Sequence, residues 1–241
     1  MKHESIYTYK LKGKFEQSID LKINDEVFIP TATSDFLIKA SIKAIENPGS
    51  LLDLGCGNGI VGISLFLNNV VTKLFASDLS KDAIKLAEEN LLKYDIEALV
   101  KCSDKFDSWD NFKFDYIIND VSGVAEDIAK HSSWFKNVPN NSGFDGANHV
   151  IDIIKLAKKY LNKNGKLIFP IISLSNEELI LKNAKKYFDK VNELSSDKWF
   201  LPSELSEKMD ILKKLKKNNA INYDEKFGKI VCSTKIYEAF S

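Results

Sequence analysis

The sequence predicts an α/β fold: a doubly wound, mostly parallel seven-stranded sheet with an antiparallel C-terminal strand and a small N-terminal β-hairpin. Three observations predict it. The stretch Leu51–Leu65, LLDLGCGNGIVGISL, reads as a buried strand, a glycine-rich turn and the start of a helix. Downstream, short apolar runs alternate with amphipathic stretches, the sequence form of repeated strand–helix units. Polar or acidic residues close several of those runs, at the edge where open α/β sheets bind ligands.

At 241 residues the chain is long enough for one large α/β domain with a full core. Lys plus Arg and Asp plus Glu are equal at 34 each, which removes the global positive field of a nucleic-acid binder. No apolar run is long enough to cross a membrane, and the N-terminal MKHESIYTYKLKGK lacks the apolar core of a signal peptide. Cys56, Cys102 and Cys232 are odd in number and widely spaced, which fits a reducing cytoplasm and shows no metal-ligand spacing. A cytoplasmic protein without a metal site is expected.

Residues 1–29 are expected to form the hairpin extension, with β-like runs at Ile6–Tyr9, Phe15–Ile23 and Val27–Ile29 and turns at Gly13 and Asn24-Asp25. The main domain then spans residues 30–241. Pro30-Thr31-Ala32-Thr33-Ser34-Asp35 opens its first helix, with Thr33 or Ser34 as N-cap, and one apolar face carries it to Ile45. Asn47-Pro48-Gly49 ends that helix ahead of the strand at Leu51. The second strand, Lys73–Ser77, closes with Asp78, and an amphipathic helix runs from Lys81 to about Tyr94. A third strand at Ala98–Lys101 leads into Cys102-Ser103-Asp104-Lys105-Phe106. The fourth, Phe114–Ile118, delivers Asn119-Asp120-Val121-Ser122-Gly123 to the carboxyl edge. Residues 124–147 are loop-rich and hold His131, Trp134 and Phe135, either as a lid beside the pocket or as aromatics packed under a long loop. A helix over His149–Tyr160 and a turn at Asn164-Gly165 precede the fifth strand, Lys166–Ile172. Pro170 there implies a strand end or a departure from the ladder. A helix over Ser175–Tyr187, a sixth strand within Val191–Leu201, a basic helix over Ser203–Lys217 and a last strand, Lys229–Tyr237, complete the chain. Residues 202–227, approximately, form an insertion.

Which ligand the glycine turn serves depends on Asp53. Gly57-x-Gly59-x-x-Gly62 fits the pattern of a dinucleotide site. There a pyrophosphate lies against the turn and the helix N-terminus, where a carboxylate two residues before Gly55 would repel it. S-adenosylmethionine has no phosphate, and its methionine end carries an ammonium and a sulfonium, which Asp53 attracts directly or through water. Asp78 is placed to accept both ribose hydroxyls in charge-assisted bonds, or else to cap the helix after Ser80. Asp104 is placed to take the adenine amino group, with a surface turn as the other reading. Asn119-Asp120 is the candidate contact to the acceptor.

With these residues in place, the chain resembles class I S-adenosylmethionine-dependent methyltransferases over roughly residues 25–172. It is most similar to the amino-group branch that includes the release-factor glutamine methyltransferases. Val27-Phe28-Ile29-Pro30 with Ser34-Asp35 is similar to that branch's entry segment, Ser103-Asp104-Lys105-Phe106 to its strand-three ending, and Gly143-Phe144-Asp145-Gly146 to its later glycine-acidic turn. The resemblance implies a Rossmann-like domain with S-adenosyl-L-methionine as cofactor. Asp53, Gly55, Cys56, Gly57 and Gly59 would hold the methionine part, Asp78 the ribose, and Ser103 and Asp104 the adenine, with Leu79 a further cofactor contact. Asn119 would border both cofactor and acceptor.

The same branch has Asn (or Asp)-Pro-Pro-aromatic after strand four, whereas this chain has Asn119-Asp120-Val121-Ser122. The asparagine matches; both prolines and the aromatic are missing, so a flat nucleobase loses its stacking partner. Ribosomal-protein methyltransferases have an Asn-led, proline-free loop, so amine methylation is compatible with the change. The expected function is methyl transfer (EC 2.1.1.-) to a nitrogen on a protein or small-molecule acceptor, nucleic acid being less favoured. Asn119 would orient the acceptor and Asp120 anchor it or take its proton, with Thr33, Trp134 and Phe135 as substrate contacts. Small-molecule O-methylation, or cofactor binding without catalysis, are the alternatives; an NAD-type oxidoreductase is disfavoured by Asp53.

Overall fold

The structure is a computed structural model that describes residues 4–11, 17–138 and 140–241. Strands β1 (Glu4–Leu11) and β2 (Gln17–Asn24) pair antiparallel, from Glu4 opposite Asn24 to Leu11 opposite Gln17. The expected turn at Gly13 and strand start at Phe15 lie outside the described residues. Val27–Ile29 is not a strand, because Asn24 folds the chain into a turn instead, taking Glu26 N–H on its side chain and Val27 N–H on its carbonyl.

The first helix, α1 (Ala32–Ala44), is capped by Thr31, whose hydroxyl accepts from Thr33 N–H at 3.3 Å. Thr33 and Ser34 therefore lie in the first turn of the helix rather than at its cap, which frees the Ser34 hydroxyl for a partner elsewhere. The alternating units follow: β3 (Gly49–Leu54), α2 (Ile60–Leu67), β4 (Val71–Asp78), α3 (Lys81–Lys93), β5 (Ala98–Cys102) and β6 (Phe114–Asn119). Ser80 caps α3 by accepting from Ala83 N–H. Residues 120–147 contain a single-turn helix, α4 (Glu126–Ala129), and a 3-10 turn, Ser133–Phe135. Then come α5 (Asn148–Tyr160), β7 (Leu161–Ile172), α6 (Glu177–Tyr187) and β8 (Lys190–Phe200). The expected basic helix is two helices, α7 (Ser203–Ser206) and α8 (Met209–Lys217), followed by β9 (Asp224–Lys226) and β10 (Lys229–Phe240).

Seven strands run in the order β5-β4-β3-β6-β7-β10-β8, and the short β9 adds an eighth on β10. Contacts among β3 to β7 are parallel, and β10 is antiparallel to both of its long neighbours. Strand β7 begins earlier than expected, at Leu161, and takes up Asn164-Gly165 as an irregularity in its pairing with β6. Pro170 does not end the strand: it sits opposite Ile236 of β10, past Ile168, where pairing with β6 has already stopped. Among the described residues no helix is long and apolar enough to cross a membrane.

Period-two alternation splits the core between the sheet's faces. Leu52 and Leu54 pack with Phe75, Phe114 and Ile154 on one side. Leu51 packs with Ile60, Ile63 and Leu74 on the other. Asp53 shares the Leu51 parity and so points toward α2. The hairpin sits on α3, where Asn90 bonds the Lys22 N–H and carbonyl at 2.7 and 3.0 Å. Leu205, Leu212, Leu215 and Tyr223 of the insertion pack against Val124, Ala125 and Ile128, stiffening the segment after β6. At the amino ends of the strands, Asp115 of β6 accepts from Ser50 N–H (2.8 Å) and hydroxyl (2.7 Å) of β3 and from the Asn162 amide (2.8 Å) of β7. These bonds hold its carboxyl below the usual carboxylate range.

Candidate active site

A cavity of ≈ 320 Å³ opens at the carboxyl ends of β3 to β6, the edge where doubly wound sheets bind ligands. Its floor is the turn after β3. Gly55 has φ +78°, and a Cβ there would lie 2.7 Å from a Val121 methyl. Gly57 has φ +52°, and a Cβ there would meet nothing closer than 4.0 Å, because that side faces the open cavity. The turn is tied to β4, with Gly55 and Cys56 N–H groups donating to the Ser77 carbonyl at 2.9 and 3.0 Å.

Asp78 lines the wall and also serves the local structure. Its Oδ2 accepts from Gly57 N–H at 3.0 Å and its Oδ1 from Ser80 N–H at 2.9 Å. Burial raises its pKa against those two bonds. Leu79 beside it is 69% exposed, an apolar surface turned to the cavity rather than the core. Ser103 and Asp104 line the next stretch of wall, where the largely exposed Asp104 pairs with Lys105 at 3.6 Å. His149 faces the same region; burial first, then the Lys105 charge, hold its pKa below the usual value.

Three expected site residues, Asp53, Asn119 and Gly59, lie off the wall. Asp53 has no exposed surface; its Oδ2 accepts from Gly62 N–H at 2.9 Å, and its Oδ1 has no partner among the described residues. Burial pushes its pKa up to about 7, with Asp120 and Asp78 adding and the Gly62 bond opposing. Asn119 is 1% exposed, its Oδ1 accepting from Val121 N–H at 3.1 Å and its Nδ2 unpartnered among the described residues. It shapes the loop that presents Asp120. Gly59, likewise off the wall, turns the chain into α2 with φ +84°.

Asp120 is on the wall. Its Oδ2 accepts from the Ser34 hydroxyl at 2.9 Å, and its N–H donates to the Leu54 carbonyl at 3.1 Å. Burial pushes its pKa up to about 7, and the Ser34 bond opposes that rise. Thr33, Trp134 and Phe135 are also on the wall. The sequence reading missed Ser34, Phe28 and Trp199 as wall residues. Ser34 was hidden by its proximity to the helix start. Trp199 lies some 80 residues from the strand-four loop, on the edge strand β8 with β7 and β10 between it and β6, so no local spacing points to it.

The cavity fits S-adenosylmethionine on three features of its own: open space over Gly57, an exposed Leu79, and carboxylates (Asp78, Asp104, Asp120) that outnumber Lys105, which is itself paired with Asp104. Asp78 would hold the ribose, Leu79 and the Ser103-Asp104 stretch the adenine side, and the 55–57 turn the methionine part.

The family model of the methyltransferase small domain matches residues 31–120, the segment from Thr31 to Asp120 just described. The chain is similar to the bifunctional methyltransferase of Rickettsia prowazekii, 28% identical over 196 residues, which cover 70% of this chain and 38% of that protein. It is similar to the ribosomal protein uL3 glutamine methyltransferase of Francisella tularensis, 30% identical over 175 residues, covering 68% of this chain and 55% of that protein. The chain thus spans about half or less of the length of these curated relatives. Among solved structures it shares the fold of the T. thermophilus 16S rRNA N2 G1207 methyltransferase in complex with AdoMet and guanosine, with a TM-score of 0.63, 13% identity, and coverage of 99% of this chain and 50% of that one. The matched segment contains the glycine turn, Asp78 and Asp120, and through it the chain is similar to methyltransferases in sequence and in fold.

Proposed function

We propose that this protein transfers a methyl group to a nitrogen acceptor carried by a protein or a small molecule. The observation that carries the reading is Asp120, a carboxylate on the cavity wall at the carboxyl end of β6, held by Ser34 and set just beyond the glycine turn. When bound, the cofactor supplies a methyl group on a sulfonium, already activated for in-line displacement. The protein's task is alignment and exclusion of water. Asn119 fixes the loop through Val121 N–H, and so sets the direction from which Asp120 meets an acceptor. With a pKa of about 7, Asp120 is part ionised at neutral pH and able to take a proton from nitrogen as the new bond forms. The Francisella tularensis relative, named for a glutamine methyltransferase, supports nitrogen over oxygen.

The same raised carboxyl also suits a hydroxyl acceptor, which needs its proton removed, so O-methylation of a small molecule is the second reading. Calorimetry with S-adenosylhomocysteine and NAD is the first test: homocysteine-adduct binding is expected, and binding of NAD alone would sink the assignment. Incubation of a cell extract with tritiated S-adenosylmethionine, followed by mass spectrometry of the labelled product, then identifies the methylated atom. Binding without turnover on any fraction would favour a non-catalytic role.

A further inference from the structure

The aromatic that the strand-four loop lacks is replaced from three other parts of the chain. Phe28 comes from the segment after the hairpin, Trp134 and Phe135 from the 3-10 turn, and Trp199 from the end of β8, and all four line the cavity. They form two contacting pairs, Phe28 with Phe135 at 5.3 Å and Trp134 edge-on to Trp199 at 5.9 Å. The 3-10 turn is bonded down on both flanks. Asn137 donates to the Asp25 carbonyl at 3.0 Å, and the Ser133 hydroxyl donates to Glu204 of α7 at 2.8 Å. Trp199 is itself oriented by its indole N–H, which donates to the Thr234 hydroxyl at 3.0 Å. One side of the cavity is thus lined by aromatic surface, beside a strap, Ser133–Asn137, fastened to Asp25 on one flank and Glu204 on the other.

We propose that the acceptor is a small, free, flat ring compound bearing an aromatic amine or ring nitrogen, seated against Phe28, Trp134, Phe135 and Trp199 with that nitrogen at Asp120. This rests on the nitrogen-methyltransferase reading above and narrows it. Aromatic faces reward a ring by stacking, whereas a side-chain carboxamide is too small to cover them. The nitrogen must also offer a lone pair. Only about one in a few thousand lysine-type amines is neutral at pH 7, whereas an aromatic amine is neutral throughout that range. Asp120 then acts on the product side: the nitrogen's lone pair forms the N–C bond while the C–S bond breaks and leaves its electron pair on sulfur. On an aromatic amine the surplus proton passes to the Asp120 carboxylate and on to solvent; a ring nitrogen without hydrogen instead keeps the positive charge given up by the sulfonium, opposite the Asp120 carboxylate. The strap favours a free molecule over a polymer, since a chain continuing on both sides of the target would have to displace Ser133–Asn137.

The test measures methyl transfer from tritiated S-adenosylmethionine to guanosine, adenosine, 4-aminobenzoate, a short glutamine-containing peptide and a short single-stranded RNA. Binding of each compound is followed by calorimetry with S-adenosylhomocysteine present. Methylation of at least one free ring amine is expected. In the Trp134→Ala protein its KM should rise roughly ten- to hundredfold, and Trp134→Phe should recover most of the loss. Methylation of the peptide but of no ring compound overturns the proposal while leaving nitrogen methylation intact. Methylation of RNA but not of free nucleosides overturns the claim of a free acceptor. Absence of both binding and turnover for all ring compounds, or an unchanged KM in Trp134→Ala, overturns it as well. Failure to bind S-adenosylhomocysteine itself would instead bring down the broader reading.

Discussion

Replacing Ser34 with Ala removes a single hydroxyl from the first turn of α1, where alanine is at least as good a helix former as serine. The side chain is buried and its hydroxyl is given to Asp120 Oδ2 at 2.9 Å. A hydrogen bond to an ionised group contributes about 1.5–3 kcal/mol, which corresponds to roughly one to two pK units of preference for the charged form. In the native protein that preference opposes the burial that lifts Asp120 to about 7. Without it the carboxyl rises by roughly one to two further units, so fewer molecules hold an ionised base at neutral pH. The acidic limb of the kcat/KM profile should therefore move toward alkaline pH by the same amount. At pH 6 the variant should be about ten- to a hundredfold slower than the parent, and near pH 9.5 the two should converge. Ser34→Thr, which keeps the hydroxyl, should restore the native profile. The assay is methyl transfer across pH, with S-adenosylhomocysteine affinity measured at each point to separate binding from turnover. A rate depressed equally at every pH would mean that Ser34 acts on structure alone, and an unshifted profile would mean that Asp120 is not the titrating base.

Other consequences are open to direct measurement. Asp53→Asn should flatten the pH dependence of stability. A carboxyl raised from 3.8 to about 7 on folding contributes stability that is fully present below about pH 4 and lost as pH rises through 7. The parent should lose up to about 4 kcal/mol over that window in urea unfolding, and the variant distinctly less; equal slopes would contradict the burial argument. Gly57→Ala, whose Cβ enters open cavity, should lose S-adenosylhomocysteine binding while unfolding at about 1 kcal/mol less stability. Gly55→Ala, whose Cβ meets Val121, should be the more destabilised protein of the two in thermal melts, and the reverse ranking would show that the turn has been misread. Asn119→Ala should cut turnover and leave cofactor affinity nearly unchanged, as read by calorimetry; disappearance of cofactor binding would move Asn119 to the cofactor side.

Much of this architecture could be read from the chain because local pattern and tertiary role agree. The strand at Leu51, the amphipathic helix after Ser80 and the acidic end of β4 each need only a few neighbouring residues to be recognised. Side-chain direction was harder. Asp53 is two residues from Gly55 in sequence, yet β3 continues to Leu54, so alternation turns Asp53 under α2 and leaves the cavity to the turn's backbone. Ser34 illustrates the opposite error. A serine at a helix start is most simply read as a cap, but Thr31 takes that role and Ser34 reaches across to Asp120, 86 positions away. Phe28 and Trp199 could not be grouped with Trp134 and Phe135 by spacing, because the contacts that join them are set by sheet order and by the course of the strap. Placement that depends on one motif was legible; a wall assembled from three segments was not.

The Asp115 junction at the amino ends of β3, β6 and β7 has a bearing on how this protein responds to acid. That carboxyl is held below the usual carboxylate range by its donors, against the effect of burial, whereas Asp53, Asp78 and Asp120 at the opposite edge are all displaced upward by burial. The two ends of one sheet therefore titrate in sequence. On mild acidification the raised carboxylates, Asp78 and Asp120 on the cavity wall and Asp53 behind it, neutralise first, while the fastening of the strands is still ionised. Activity should then fade near neutral pH in a folded, recoverable protein, well before the sheet itself is threatened.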